Sequence, residues 1–260
     1  MIKDYIATFK KYQFLLENMI SRDLKVKYRR SVLGLAWSML NPILMMLILS
    51  AVFSRIMRFD VENFPLYIMS GQTLFSFFNT ATSSCTFSIV ESSPLIKKVY
   101  VPKYIFPLER VLFEFVNLLF SMIGLIVIII IYRVPFSFTM LLAIVPMVLL
   151  LGFTVGFSMV LASLCVFFHD LKHLYSVLIT AWMYLTPIIY PIDFLGEGFI
   201  HTVVMLNPLT WYVTYFRYVI MYNTLPTLEM NLVCVGWAVI FLLLGAFVMK
   251  KTQDKFILYL

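Results

Sequence analysis

Residues 22–54, RDLKVKYRRSVLGLAWSMLNPILMMLILSAVFS, join two chemistries at Arg30. Up to that point Arg22, Lys25, Lys27, Arg29 and Arg30 crowd a short polar segment. Beyond it no Lys, Arg, Asp or Glu occurs until Arg55. A charge-free run of this length matches the roughly 20 residues a helix needs to cross a hydrocarbon core. Lys and Arg beside a span are retained on the cytoplasmic side. Residues 33–54 are therefore predicted to span a membrane from inside to outside, and every later segment alternates from there.

The whole chain agrees with this reading. It has 260 residues, of which 62% are hydrophobic and only 13% charged, a composition that excludes an ordinary soluble domain. The apolar runs are continuous rather than alternating, which argues against a β-barrel. The net charge of +7 reflects basic residues gathered at span ends, so nucleic acid is not an expected partner. The start, MIKDYIATFKKYQ, is too polar for a cleaved signal peptide, so the first span is expected to direct insertion. Cys85, Cys165 and Cys234 all lie in apolar runs and read as small buried side chains.

Residues 4–28 place Tyr5, Phe9, Tyr12, Leu16, Ile20 and Leu24 at intervals of three and four, opposite Lys10, Glu17 and Lys25. This predicts an amphipathic interface helix, lying on an anionic leaflet or packed against the inner ends of the spans. Pro42 should kink the first span. The second span, 64–88, is unusually polar, with Gln72, Ser76, Asn79, Ser83 and Thr86 along one face. That face either lines a wet path or packs against other helices, and both readings stand open here. The segment 91–107 is inside and is divided by Pro94, Pro102 and Pro107, with a short helix expected over 95–101. In the third span, 110–132, Glu114 follows Arg110 by one turn and is expected to pair with it. The fourth span, 138–166, carries Gly152 and Gly156 at the spacing that permits close helix contact. His169 and His173 resemble a metal pair in spacing only, and no metal is expected.

The fifth span, 174–190, ends in TPIIYP. Residues 196–222 are apolar and aromatic, but Asn207-Pro208 divides them into two pieces too short to cross. They read as a re-entrant outer hairpin. The sixth span, 230–249, ends at Lys250, Lys251 and Lys255, so both termini are expected in the cytoplasm. Only Arg55, Arg58, Arg133 and Arg217 fall on outer segments, against sixteen Lys and Arg inside. The predicted fold is an all-α polytopic membrane protein of six spans, with the interface helix and the re-entrant hairpin added.

No GxxxxGK[ST], GxSxG or HExxH pattern occurs, so neither a nucleotide site of that type nor those catalytic centres are expected. An embedded glycan transferase would need acids or histidines clustered near one membrane face, and here they are scattered.

RRSVLGLAWSMLNPILMM, LIKKVYVPKYIFPL, HDLKHLYSVLITAWMYLTPIIYP and LNPLTWYVTYFRY, in that order, resemble ABC-type-2 permeases. Within them they resemble the subgroup exporting O-antigen, teichoic acid or capsular polysaccharide. The resemblance implies a single transmembrane domain over 1–260, working as a homodimer in a bacterial or archaeal cytoplasmic membrane. It implies two copies of a separate ABC ATPase that carry the ATP and Mg, so this chain binds no cofactor of its own. The ATPase would be met by the loop 91–107, with Leu95, Ile96, Lys97, Lys98, Val99 and Lys103 as candidate coupling residues. The re-entrant pair would form an outer gate, with Asn207, Pro208, Trp211 and Arg217 as candidates. The implied substrate is a polysaccharide on a polyprenyl pyrophosphate carrier. Gln72, Phe75, Ser76, Phe78, Asn79, Trp182 and Tyr184 are the candidate channel residues. The alternative in the same fold is an exporter of a drug, another small molecule or a lipid.

Overall fold

The computed structural model describes residues 2–29, 33–56 and 61–259, with the side chains of 2–9, 28, 55 and 56 outside the described set. Arg30, Arg58 and Asp60, from the two flanks of the first predicted span, lie outside the described residues.

The regular structure among the described residues is all helical, with no strand among them. Helix α1 (Ile2–Tyr28) is followed by α2 (Ala36–Ile56), which contains Pro42, and by α3 (Phe64–Thr86). Two single turns, α4 (Ser88–Glu91) and α5 (Ser93–Ile96), lead to α6 (Ile105–Ile131). Next come α7 (Ile144–Phe167), entered through a 3-10 turn over Phe138–Ala143, and α8 (Leu171–Leu185). Helices α9 (Phe199–Leu206) and α10 (Pro208–Ile220) meet at Asn207, and α11 (Leu228–Thr252) completes the set.

Among the described residues four helical stretches are long and apolar enough to cross a membrane: Ala36–Ser54, Ile105–Ile131, Phe138–Phe167 and Leu228–Leu258. Helix α3 has 23 residues, about 34 Å at about 1.5 Å per residue, so it has the length but carries hydroxyls and amides along it. Helix α8 has only 15 residues. It ends at Leu185 rather than near 190 because Pro187 holds Thr186 in an extended conformation. The short helix in the proline-divided segment covers Ser93–Ile96, with Pro94 as its second residue, instead of 95–101. Proline in the first turn gives up an N–H that would have had no partner within the helix.

Side-chain pairings fix the direction of each helix. Ser38 reaches Asn117 and Ser121, and a Cβ on Gly124 would meet Met39 and Ile43, so α2 and α6 run parallel. Thr80 faces Glu114 while Cys85 faces Pro107, so α3 opposes α6. Phe78 packs on Trp182 and Thr82 on Tyr175, so α3 opposes α8. Gly152 faces Ala238 and Leu242, while Ser163 faces Met249, so α7 and α11 are parallel. Helices α2, α6 and α8 thus run one way and α7 and α11 run together.

Two main apolar cores result among the described residues, beside a third, small cluster of Phe64, Tyr67 and Ile68. The larger joins α3, α6, α7, α10 and α11 around Phe75, Phe78, Phe153, Tyr212 and Phe216. The smaller gathers Leu16 of α1, Ile89, Ile96, Phe106, Val166 and Met249, and is closed by Phe256 of the 3-10 turn Gln253–Leu258. Packing against the span ends is therefore the role of α1 that the contacts bear out. Gly156 sits directly against the Phe241 backbone and Gly245 against Gly156, which realises the close contact read from the Gly152/Gly156 spacing. The three cysteines are free and buried.

Candidate functional site

Helix α3 divides its polar residues between two faces. On the packed side, Thr73, Thr82 and Thr86 are buried and each donates to the carbonyl one turn back, at 2.7, 2.7 and 2.8 Å. Those hydroxyls are satisfied within the helix and let neighbours approach. On the other side Gln72, Ser76 and Asn79 are half-buried, and Thr80 and Ser83 are exposed. The packing reading therefore holds on the buried face, which also takes Thr86, expected on the polar face; the rest of the polar face is left open within this chain.

The open face forms one wall of a cavity of about 280 Å³ between α2, α3 and α6. Trp37, Ser38, Asn41 and Met45 line it from α2, Gln72, Ser76 and Thr80 from α3, and Glu114, Asn117 and Ser121 from α6. Lys27, at the end of α1, closes it. Asn117 Nδ2 donates to Glu114 Oε2 at 3.1 Å, and Thr80 Oγ1 lies 3.4 Å from the same oxygen. Lys27 Nζ stands 3.6 Å from Glu114 Oε1 and 4.9 Å from the Phe113 ring centroid. The expected Glu114–Arg110 pair is therefore replaced. Arg110 turns instead to Asp23 at 2.9 Å, with Glu109 at 3.6 Å and Glu91 at 3.8 Å. Asp23 and Lys27, one turn apart on α1, thus face Arg110 and Glu114, one turn apart on α6, with opposite polarity at each level. Asp23 also accepts from Arg22 Nε at 2.7 Å, and this hydrogen bond raises the Arg22 pKa above its ordinary value.

Of the candidate channel residues, Gln72 and Ser76 line this cavity and Asn79 stands on the same face. Phe75 and Phe78 do not: both are buried in the main core, where Phe78 contacts Phe153, Phe157 and Trp182. Tyr184 is exposed on α8, away from the cavity lining. Trp37 and Asn41 were not among the candidates. Their signal was a Trp and an Asn four residues apart in an otherwise apolar span.

At the opposite end of α3 the candidate gate residues come together. Asn207 caps α10 by accepting the Leu209 N–H at 3.0 Å and also accepts Trp182 Nε1 at 2.8 Å. Its amide nitrogen donates to Leu185 O and Thr186 Oγ1. Pro208 is buried as the first residue of α10, and Trp211 donates to Met205 O at 2.8 Å. Arg217 is 3% exposed. It donates to Pro187 O at 2.6 Å, to Tyr67 O and Ile188 O at 3.0 Å each, and to Ser70 Oγ at 3.4 Å. Its guanidinium lies 3.4 Å from the Tyr67 ring centroid. No described carboxylate pairs with it. Segment 185–188 is therefore held to α10 at both ends, and α10 is a core helix, whereas α9 leaves Phe199, Ile200 and Leu206 exposed.

In the candidate coupling segment Leu95, Lys97, Lys98, Val99 and Tyr100 are exposed. Ile96 and Lys103, expected with them to meet the ATPase, are buried at 8% exposure. Ile96 belongs to the smaller core, and Lys103 Nζ lies 5.2 Å from the Tyr100 ring centroid.

Comparison with known proteins places this geometry in context. The family model described as ABC-2 type transporter matches residues 15–221. The chain is similar to an O-antigen export system permease protein RfbA from Myxococcus xanthus, 28% identical over 246 residues, covering 94% of this chain and 95% of that one. It is also similar to two proteins of the same description from Klebsiella pneumoniae, each 30% identical over 213 residues, covering 81% of this chain and 82% of theirs.

Proposed function

The chain belongs to the ABC-2 type transporter family, and we propose that it is the membrane permease of an exporter of carrier-linked cell-surface polysaccharide, powered by a separate ATPase. One observation carries this reading beyond the relatives' names: a polar cavity and an open polar helix face at the depth of the apolar spans. Asn41, Thr80 and Ser83 are exposed there, and polar groups at bilayer depth avoid lipid. A second copy of the chain, facing the first across a wet path, satisfies them.

The six-span topology rests on helix direction. Helices α2, α6 and α8 run outward, and α3, α7 and α11 run inward, as alternation requires. The inner membrane is the setting, with both termini in the cytoplasm. Helices α9 and α10 then form the re-entrant outer element, with α10 buried against α3 and α7, where irregular backbone is tolerated. The ATPase meets Leu95, Val99, Tyr100, Lys97 and Lys98, the exposed residues beside α5. ATP and Mg belong to that partner.

The test is export in vesicles holding this chain and its co-purifying ATPase. ATP-dependent accumulation of a lipid-linked glycan supports the reading. Transport of a small amphipathic dye in its place, with no glycan moved, would favour the small-molecule alternative.

A further inference from the structure

We propose that the α2/α3/α6 cavity is a subsite for one neutral, hydroxyl-bearing sugar ring of the transported chain and rejects its phosphate; this rests on the export reading above. Its volume, about 280 Å³, lies at the small end of ligand sites, with room for a ring but not for a lipid tail. Its lining joins the amides of Asn41, Gln72 and Asn117 to the hydroxyls of Ser76 and Thr80 and the carboxylate of Glu114. Amides both donate and accept and a carboxylate accepts only, so together they match sugar hydroxyls, which do both. Trp37, 46% exposed at the rim, offers a flat apolar surface to the C–H face of such a ring.

Charge decides against the phosphate. Lys27 is the cation lining the cavity, and it is already paired with Glu114 at 3.6 Å. A phosphate entering here would meet the carboxylate with no unpaired cation among the described lining residues, and two anions at that separation repel. A neutral ring instead hydrogen-bonds to the carboxylate, the stronger class of such bonds.

The experiment uses the complex with its co-purifying ATPase in membrane discs of one fixed lipid composition, carrying Ser76→Cys. Cys85, Cys165 and Cys234 are buried and stay silent to an aqueous maleimide. The labelling rate is measured with the glycan repeat oligosaccharide freed of its carrier, and separately with inorganic pyrophosphate. Oligosaccharide is expected to slow labelling several-fold, and pyrophosphate at the same concentration to leave it unchanged. Glu114→Gln and Asn41→Leu should each raise the half-protecting concentration, Glu114→Gln by about tenfold. Asn41 is exposed on α2, so its replacement keeps the test sound if the Glu114 variant fails to assemble. Protection by pyrophosphate, or none by oligosaccharide, overturns the assignment. Export is followed with the parent chain and its ATPase reconstituted in vesicles: export by the parent without protection of the variant removes the subsite alone, while absence of glycan export by the parent removes the reading beneath it.

Discussion

The carbonyl oxygen of Gly156 occupies the place where a Cβ on Gly245 would stand, so α7 and α11 meet backbone to backbone. A side chain at Gly156 would likewise run into the Phe241 backbone. In both cases the obstacle is main chain, which cannot rotate aside. Gly156→Ala and Gly245→Ala are each expected to cost at least about 1–3 kcal/mol, the usual penalty for overpacking. Gly236→Ala, on the same α11 with nothing within 4 Å of the added carbon, should be tolerated. Thermal aggregation of the detergent-solubilised protein reads the difference, and equal behaviour of Gly236→Ala and Gly245→Ala would contradict the packing.

A second steric dependence joins α3 to α10. A Cβ on Gly71 would lie 2.6 Å from Arg217 Nη2, so the guanidinium occupies the side-chain space that glycine leaves empty. Arg217→Lys retains the charge but cannot reach three carbonyls from one flat fork. Loss of charge-assisted bonds to buried partners is expected to destabilise by about 3 kcal/mol. Gly71→Ala should cost less, because the arginine is long enough to shift in part. A melting profile of Arg217→Lys that matches the parent would remove the structural role.

Exposure separates docking from folding in the coupling segment. Leu95→Asp and Val99→Asp alter exposed residues and should reduce ATPase co-purification while leaving melting unchanged. Ile96→Asp places a carboxylate in the smaller core and should lower the melting temperature itself, since a buried unpaired charge is costly. Assaying both properties on all three variants is decisive. Full ATPase recovery with Leu95→Asp and Val99→Asp together would place the coupling contact elsewhere.

The ion pairs between α1 and α6 are only partly buried, with side-chain exposures of 14% for Asp23 and 30% for Arg110, so each is worth about 1 kcal/mol or less. Their effect should be local. Asp23→Asn is expected to speed tryptic cleavage after Lys25 and Lys27 without shifting the global unfolding transition. Unchanged cleavage kinetics would show that α1 is held by its apolar face alone.

Topology has a direct test. A cysteine at Gly198 should react with an impermeant reagent added to intact cells, and one at Lys98 only after permeabilisation. The buried native cysteines give a low background. Labelling of Gly198→Cys only after permeabilisation would invert the outer assignment and break the six-span count.

Much of the fold was legible because apolar run length and flanking charge are properties of consecutive residues. Gly152 and Gly156 announced a close contact through spacing alone, although their partner Gly245 is remote in sequence. The site was harder to read. Arg110 and Glu114 are one turn apart and suited to each other, but α1 presents Asp23 and Lys27 at the same spacing, and the tertiary pairs prevail. Phe78 is kept out of the cavity for a geometric reason available in the sequence: it lies about 120° around α3 from Gln72, so the two cannot share a wall. Ile96 shows the limit of pattern, because one turn of helix does not reveal which side is covered.

Arg217 has a final consequence. A buried cation with no described carboxylate paired to it is a charge that the membrane potential can act on. Moving one charge through the whole field is worth about 2.3 kcal/mol per 100 mV, and a partial displacement proportionally less. With the inside negative, any opening that carries Arg217 outward works against that potential. The outer end of this permease would then open less readily in an energised cell than in a depolarised vesicle.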